Sequence, residues 1–183
     1  MSLTPDFAST PIAILSALPQ EQRGLIELLH MPRKVRHANR DFWMGDLHCR
    51  PVVLALSKIG KVAAATTTTA LIEKFGVRCI VFTGVAGGLG PNVKVGDVVV
   101  ATDFVQHDLD ASPLFPRYEV PLYGKTRFSC DHDLSAVLFE ASCAALKHNN
   151  LSILGFHDAR VHRGLIASGD RFVCGVDESH CSA

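Results

Sequence analysis

At 183 residues, 48% of them hydrophobic, the chain can bury one sizeable core, and a single domain over residues 1–183 is the expectation. Its 18 Lys and Arg balance 18 Asp and Glu, and no long run of one sign occurs, which argues against an electrostatic partnership with nucleic acid or a membrane surface. The opening MSLTPDFAST has no basic region and the apolar stretch behind it is cut by Ser16 and Pro19, so neither a signal peptide nor a spanning helix is expected.

PIAILSAL, from Pro11 to Leu18, is a short apolar run bounded by prolines and reads as a buried strand. Pro19 then suits a first helical turn, and QEQRGLIELLH places Leu25, Ile26, Leu28 and Leu29 on one helical face. Arg33 to Leu47 reads as a hairpin with its tip at Ala38, Asn39 and Arg40, and PVVLALS (51–57) as another buried strand. The stretch KIGKVAAATTTTALIEKFGV is free of proline and ends at Gly76, a good helix stop; the threonines at 66–69 weaken the helix, but the alanines before them and the Leu-Ile-Glu-Lys after them favour it. RCIVFTG follows as an apolar strand, and strand, helix, strand at this spacing implies a parallel pair with a right-handed crossover. VGDVVVATDFVQHD reads as a long strand, Asp133 to His148 as a helix ending at Asn149 and Asn150, and Gly155 to Ser168 as a bent strand. The class is α/β with a mixed, largely buried sheet. Six cysteines (Cys49, Cys79, Cys130, Cys143, Cys174, Cys181) form no CxxC pair, and Cys79 and Cys143 lie in apolar segments, so reduced thiols of a cytoplasmic protein are expected.

VFTGVAGGLGPNVKVGDVVVA, from Val81 to Ala101, breaks an apolar run with glycines and then resumes it. The spacing GxxGGxG is not a dinucleotide fingerprint, since Pro91 and a strand follow instead of a helix, and no GK[ST] marks a P-loop. Two readings stay open: a strand connection in which glycines supply positive φ, and a backbone approach to a ligand.

SALPQEQ, SKIGKVAAA, FTGVAGGLGPNVKVGDVVVATDFVQHDLDASP and RGLIASGDRFV, in this order, resemble the methylthioadenosine/S-adenosylhomocysteine nucleosidases of the purine nucleoside phosphorylase superfamily, over Ile12 to about Val173. The resemblance implies a phosphorylase-type three-layer α/β fold with a central mixed, twisted sheet flanked by helices. It also implies a homodimer, no metal and no cofactor, and hydrolysis of the N-glycosidic bond of a 5'-thioadenosine to adenine and a 5-thioribose.

Breaking that bond puts positive charge on the sugar and negative charge on the base, so a base must aim water at C1' and an acid must serve purine N7. The resemblance gives the water-activating role to Glu21, which otherwise reads as a solvated first-turn glutamate favoured by the helix dipole. It places Val85, Ala86 and Gly87 at the floor of the nucleoside pocket, and Leu18 and Ile59 near the sugar and the 5'-alkylthio group. Family members often carry methionine at the Leu18 position and some carry serine at that of Val85. Phe172 matches the aromatic that stacks on adenine and Val173 the residue whose backbone meets the base edge, although a phenylalanine beside Val and Cys otherwise reads as core. Phe115 matches, loosely, a loop that the partner subunit closes over the 5' substituent.

His107, Asp108 and Asp110 with Asp131, His132 and Asp133 invite a metal reading, but HDLD reads as well as hydrogen bonding at a strand end. Arg160, His162 and Arg163 read as a charged strand face. A glutamate at the first loop favours water over phosphate as nucleophile, while Arg23 keeps phosphorolysis open. After RFV the sequence reads CGVDESHCSA, and the family's ribose-binding glutamate and purine-protonating aspartate match no residue. A poor or inactive catalyst with exposed sheet surface is therefore expected, the alternatives being an adenine- or nucleoside-binding remnant and a purine nucleoside phosphorylase. The preferred 5' substituent, including that of futalosine-like nucleosides, is left open.

Overall fold

The computed structural model describes residues 10–148, 156, 158–171 and 173. The chain groups into two compact units, Met1–Ala86 and Gly87–Ala183.

The first unit runs β1 (Ile12–Ser16), α1 (Pro19–Glu27), β2 (His30–His37), β3 (Arg40–Leu47), β4 (Arg50–Leu56), α2 (Lys61–Phe75) and β5 (Cys79–Phe82). Its strands form one mixed sheet of order β2-β3-β4-β1-β5. β4 and β5 both pair parallel to β1, so the strand-helix-strand unit does give parallel strands, with β1 inserted between them. Alternation along the strands sorts the side chains: Ala13, Leu15, Phe42, Val53 and Ala55 pack with Leu71 and Val77 on the α2 side. Val52 and Leu54 pack with Leu25, Ile26 and Leu29 on the other, so helices cover both faces and three layers result. A fully buried side chain such as Leu54 contributes about 1.5–3 kcal/mol.

Both hairpin tips have two central residues in the left-handed region, Ala38 and Asn39 in one, His48 and Cys49 in the other, the conformation whose twist suits two-residue turns. α1 ends at Glu27, one residue before Leu28, so Leu28 leaves the expected apolar face and is exposed while Leu29 is buried. In α2 the threonines are accommodated by back-bonding: the hydroxyls of Thr66, Thr67 and Thr69 donate to carbonyls one turn earlier, and Gly76 closes the helix at φ 66°. Gln22, buried on α1, donates from Nε2 to Ala55 O at 2.9 Å and fixes the helix on β4.

The second unit contains β6 (Val98–Gln106), β7 (Arg127–Ser129), α3 (His132–His148) and β8 (Val161–Ser168), with sheet order β7-β6-β8. The irregularity expected in the last strand lies in β6, whose register to β8 shifts between Ala101 and Asp103. The helix expected from Asp133 begins at His132, and its expected end at Asn149 and Asn150 lies outside the described residues. Arg163 on β8 stacks its guanidinium 4.3 Å from the Phe139 ring centroid on α3. Among the described residues Cys49, Cys79, Cys130 and Cys143 form no disulfide, Cys79 and Cys143 are half-buried, and no helix is long and apolar enough to cross a membrane.

Asp97 joins the start of β6 to β8. Its carboxylate accepts the Lys94 and Arg160 N–H groups at 2.9 and 2.8 Å and the His162 Nε2–H at 2.9 Å, with its side chain only 3% exposed. The Lys94 amide foremost, then those of Arg160 and the His162 ring, lower its pKa from 3.8 to about 2. A carboxyl lowered on folding stabilises above its unfolded pKa and loses that contribution as pH falls through the folded one. Asp97→Asn should therefore lower the melting temperature by a constant margin at neutral pH, and the margin should close as pH falls from 3.8 toward about 2. A margin independent of pH down to that range would contradict the assignment.

Candidate active site

The parallel strands β4, β1 and β5 end side by side, the edge at which open α/β sheets place ligands. Beyond the ladder the Ser57 N–H donates to Ser16 O at 2.8 Å and the Thr83 N–H to Leu15 O at 2.9 Å, which keeps the three ends together. β1 passes through Ala17 and Leu18 into α1, where Pro19 supplies the first helical turn and puts Glu21 at its third position.

Glu21 closes this edge. Its Oε2 accepts the N–H groups of Ala17 at 2.9 Å and Leu18 at 2.8 Å, and its Oε1 accepts the N–H of Val85 at 2.9 Å. The Leu18 contact is the glutamate half of a capping box, on a cap residue with no oxygen to reciprocate. Burial pushes the Glu21 carboxyl up, and the Val85, Leu18 and Ala17 donors together outweigh it, leaving its pKa lowered from 4.5. The group is thus a carboxylate at neutral pH. Of the roughly four lone-pair positions on a carboxylate, three are filled by backbone donors, and the one left on Oε1 can accept a proton from water.

Gly84 makes this geometry possible. A Cβ there would stand 2.8 Å from Glu21 Oε1 and 3.1 Å from its Cδ. None of Gly84, Gly87, Gly88 and Gly90 has φ in the positive region; within the stretch the connection draws on positive φ at Gly96 alone, at 99°, and close approach is the reason for glycine at Gly84.

The structure brings Leu18, Glu21 and Val85 into one hydrogen-bonded group, with Leu18 41% and Val85 90% exposed. Ile59 stands just past the end of β4 at 79% exposure. Ala86 follows Val85 and is exposed. Arg23 is exposed two residues beyond Glu21, about 200° round the helix from it. In the second unit Gly87 is exposed, Phe115 is half-buried in a turn where its N–H donates to Ala111 O at 3.2 Å, and Val173 is half-buried. Phe172 lies outside the described residues.

His107 and Asp108 form the turn just past the end of β6, where the His107 N–H donates to Ser168 O at 3.0 Å. Asp108 Oδ2 accepts the successive N–H groups of Asp170 at 2.6 Å and Arg171 at 3.2 Å, the hydrogen-bonding alternative to a metal. A Cβ on Gly169 would stand 2.5 Å from His107 Nε2, so glycine lets the loop after β8 close on this pair. Among the described residues no group of three or more His, Cys, Asp or Glu could hold a metal ion.

Residues 11–180 match the family model described as Phosphorylase superfamily. The chain belongs to the phosphorylase superfamily. Within it, this chain is 35% identical over 167 residues to a Campylobacter jejuni protein named aminodeoxyfutalosine nucleosidase, covering 89% of this chain and 66% of the relative. It is 36% identical over 162 residues to a 5'-methylthioadenosine/S-adenosylhomocysteine nucleosidase from Anoxybacillus flavithermus, covering 88% of this chain and 65% of the relative. The chain thus spans just under two thirds of the length of these relatives. Among solved structures, the methylthioadenosine/S-adenosylhomocysteine nucleosidase of Colwellia psychrerythraea in complex with adenine superposes with TM-score 0.84 at 31% identity, over 96% of this chain and 69% of that one. The Neisseria meningitidis enzyme in complex with methylthio-immucillin-A gives TM-score 0.80 at 36% identity, over 94% of this chain and 70% of that one.

For this phosphorylase-superfamily chain, sequence reasoning singled out Glu21 as a candidate but missed the contacts that order it. Ala17 contributes only its amide, which no side-chain pattern reports. The Gly84 contact spans 63 positions and had a signal only in the glycine count of the turn. Gln22 was legible as a polar residue on an otherwise apolar face of α1, yet its partner, a carbonyl of β4, was not.

Proposed function

We propose that this chain carries out hydrolysis of the N-glycosidic bond of a 5'-thioadenosine such as 5'-methylthioadenosine or S-adenosylhomocysteine, releasing adenine and a 5-thioribose. The observation that carries the reading is the Glu21 carboxylate, held by three backbone amides with one acceptor position open at the ends of β4, β1 and β5. In the proposed step a water donates one proton to Glu21 Oε1 while its oxygen bonds to C1'. The C1'–N9 bond breaks and its electron pair leaves with the base, which takes up a proton at N7 from a group that none of the described residues is assigned to be. The lowered pKa suits this chemistry, because a sugar carrying oxocarbenium-like charge needs a water that is oriented more than one that is strongly activated, and the carboxylate's charge opposes that of the sugar.

A fixed anion at this edge repels phosphate, which supports hydrolysis over phosphorolysis. The names of relatives support two substrate readings, thioadenosines and aminodeoxyfutalosine. Leu18, Ile59, Val85, Ala86 and Gly87 keep the substrate-binding roles the resemblance gave them, as do Phe115, Phe172 and Val173, and residues 1–183 are read as one domain because a single family model runs through both units. A cytoplasmic homodimer with a part in methionine salvage completes the reading; described cysteines that form no disulfide fit a reducing compartment.

Adenine release should be measured in phosphate-free buffer, with 5'-methylthioadenosine and with aminodeoxyfutalosine. Release without phosphate is expected. Release only with phosphate would make the chain a phosphorylase, and nucleoside binding without release would make it a binding protein.

A further inference from the structure

Between β4 and α2 the backbone takes a course that its residues would not choose. Lys58 has φ 64°, in the left-handed region that a long side chain disfavours, and Gly60 has φ 100° and ψ 150°, a conformation left to glycine. Such a turn persists only if its surroundings fix it, and here both ends are held. On the α2 side the Ala64 N–H donates to Gly60 O at 3.0 Å. On the β4 side the buried Ser57 anchors its N–H on Ser16 O at 2.8 Å, while its hydroxyl donates to Lys58 O at 2.7 Å. Ser16 O lies farther from that hydroxyl, at 3.3 Å, so its single proton belongs to the strained peptide.

The result is that Ile59, a β-branched side chain that burial would favour, is held 79% exposed. It follows the end of β4, next to β1, the strand that leads to Glu21. We propose that Ser57 is a positioning residue for substrate selection: by holding the Lys58 carbonyl it keeps Ile59 outward as an apolar contact for the 5' group of the nucleoside. Ser57 itself touches no substrate. It sets the preference for an apolar 5'-alkylthio group over a 5'-hydroxyl. The inference rests on the nucleosidase reading above.

The test is calorimetric titration of the 183-residue chain with 5'-methylthioadenosine and with adenosine, which differ only at the 5' position. In Ser57→Ala the preference for methylthioadenosine should fall about 5- to 10-fold, part of what one apolar contact in a site discriminates, with adenosine affinity within about twofold of the unsubstituted chain. Ile59→Ala, an exposed position that should not disturb folding, should lose the preference directly. Because asparagine accepts the left-handed region more readily than lysine, Lys58→Asn in the Ser57→Ala background should restore the preference, which a general packing role of Ser57 would not allow. Failure of the unsubstituted chain to bind either nucleoside overturns the nucleosidase reading and this inference together. If the chain binds both, an unchanged preference in Ser57→Ala or Ile59→Ala, or a lost one that Lys58→Asn leaves lost, overturns this inference alone.

Discussion

Replacing Glu21 with glutamine should lower adenine release from 5'-methylthioadenosine by about 10²- to 10⁴-fold, the usual worth of a positioned general base. The amide keeps the shape and removes the charge, but it has one acceptor oxygen where the carboxylate has two. Either the Ala17 and Leu18 amides or the Val85 amide then faces an NH₂ group, donor against donor. The same change gives a signature in stability. Because folding lowers the Glu21 pKa, the carboxylate's contribution is present above the unfolded value of 4.5 and disappears as pH falls through the folded value. The difference in melting temperature between the unsubstituted chain and Glu21→Gln should be level at neutral pH and narrow only below about 4.5. Release that survives the substitution would remove Glu21 from the chemistry. A stability difference that ignores pH would remove the carboxylate from the hydrogen-bonded group described for it.

The second large effect is expected at Gly84→Ala. The added methyl would lie 2.8 Å from Glu21 Oε1, a distance that no carbon at this position can keep, so the carboxylate or the strand end must move. Since Gly84 lacks a positive φ, alanine meets no backbone penalty there, and the whole effect comes from that contact. Overpacking of this kind costs about 1–3 kcal/mol, and displacing a reacting group by about 1 Å costs on the order of 10² in rate. Activity should therefore fall about 100-fold while the fold is retained. Gly24→Ala is the control: in the middle of α1, with nothing within 4 Å of its Cβ, it should leave adenine release unchanged and add about 0.5–1 kcal/mol of stability. Equal behaviour of the two variants would mean that the close approach at Gly84 does not matter.

What could be read in advance follows from how far each feature reaches along the chain. The strands at 12–16 and 50–56 and the helix at 61–75 announce themselves through local periodicity and a glycine stop, and they stand where the pattern put them. The tip at Ala38 and Asn39 was legible because asparagine is a common turn residue that tolerates positive φ; the tip at His48 and Cys49 carries neither glycine nor asparagine and was not foreseen. The start of β2 at His30 was missed because Met31 at φ 51° and a bulge before Arg33 interrupt its alternation. Period-2 patterns likewise cannot reveal that β1 slots between β4 and β5, since adjacency is decided by which faces cover one another. At the site, the resemblance supplied Glu21 as a name and a role. The amides that orient it, the glycine that admits it and the serine that shapes the neighbouring turn are backbone matters, which residue types report only faintly.

The link between Glu21 and Val85 crosses 64 positions of sequence, and the one between Ser57 and Ser16 crosses 41. By contrast the β2-β3-β4 meander closes through two-residue tips, each at small entropic cost. In kinetic terms the meander belongs to the early events of folding, and the parallel pairings of β1 with β4 and β5 to the late ones. The acceptor position on Glu21 is oriented only when the last of these is made, so a chain still folding has the glutamate but not the oriented carboxylate.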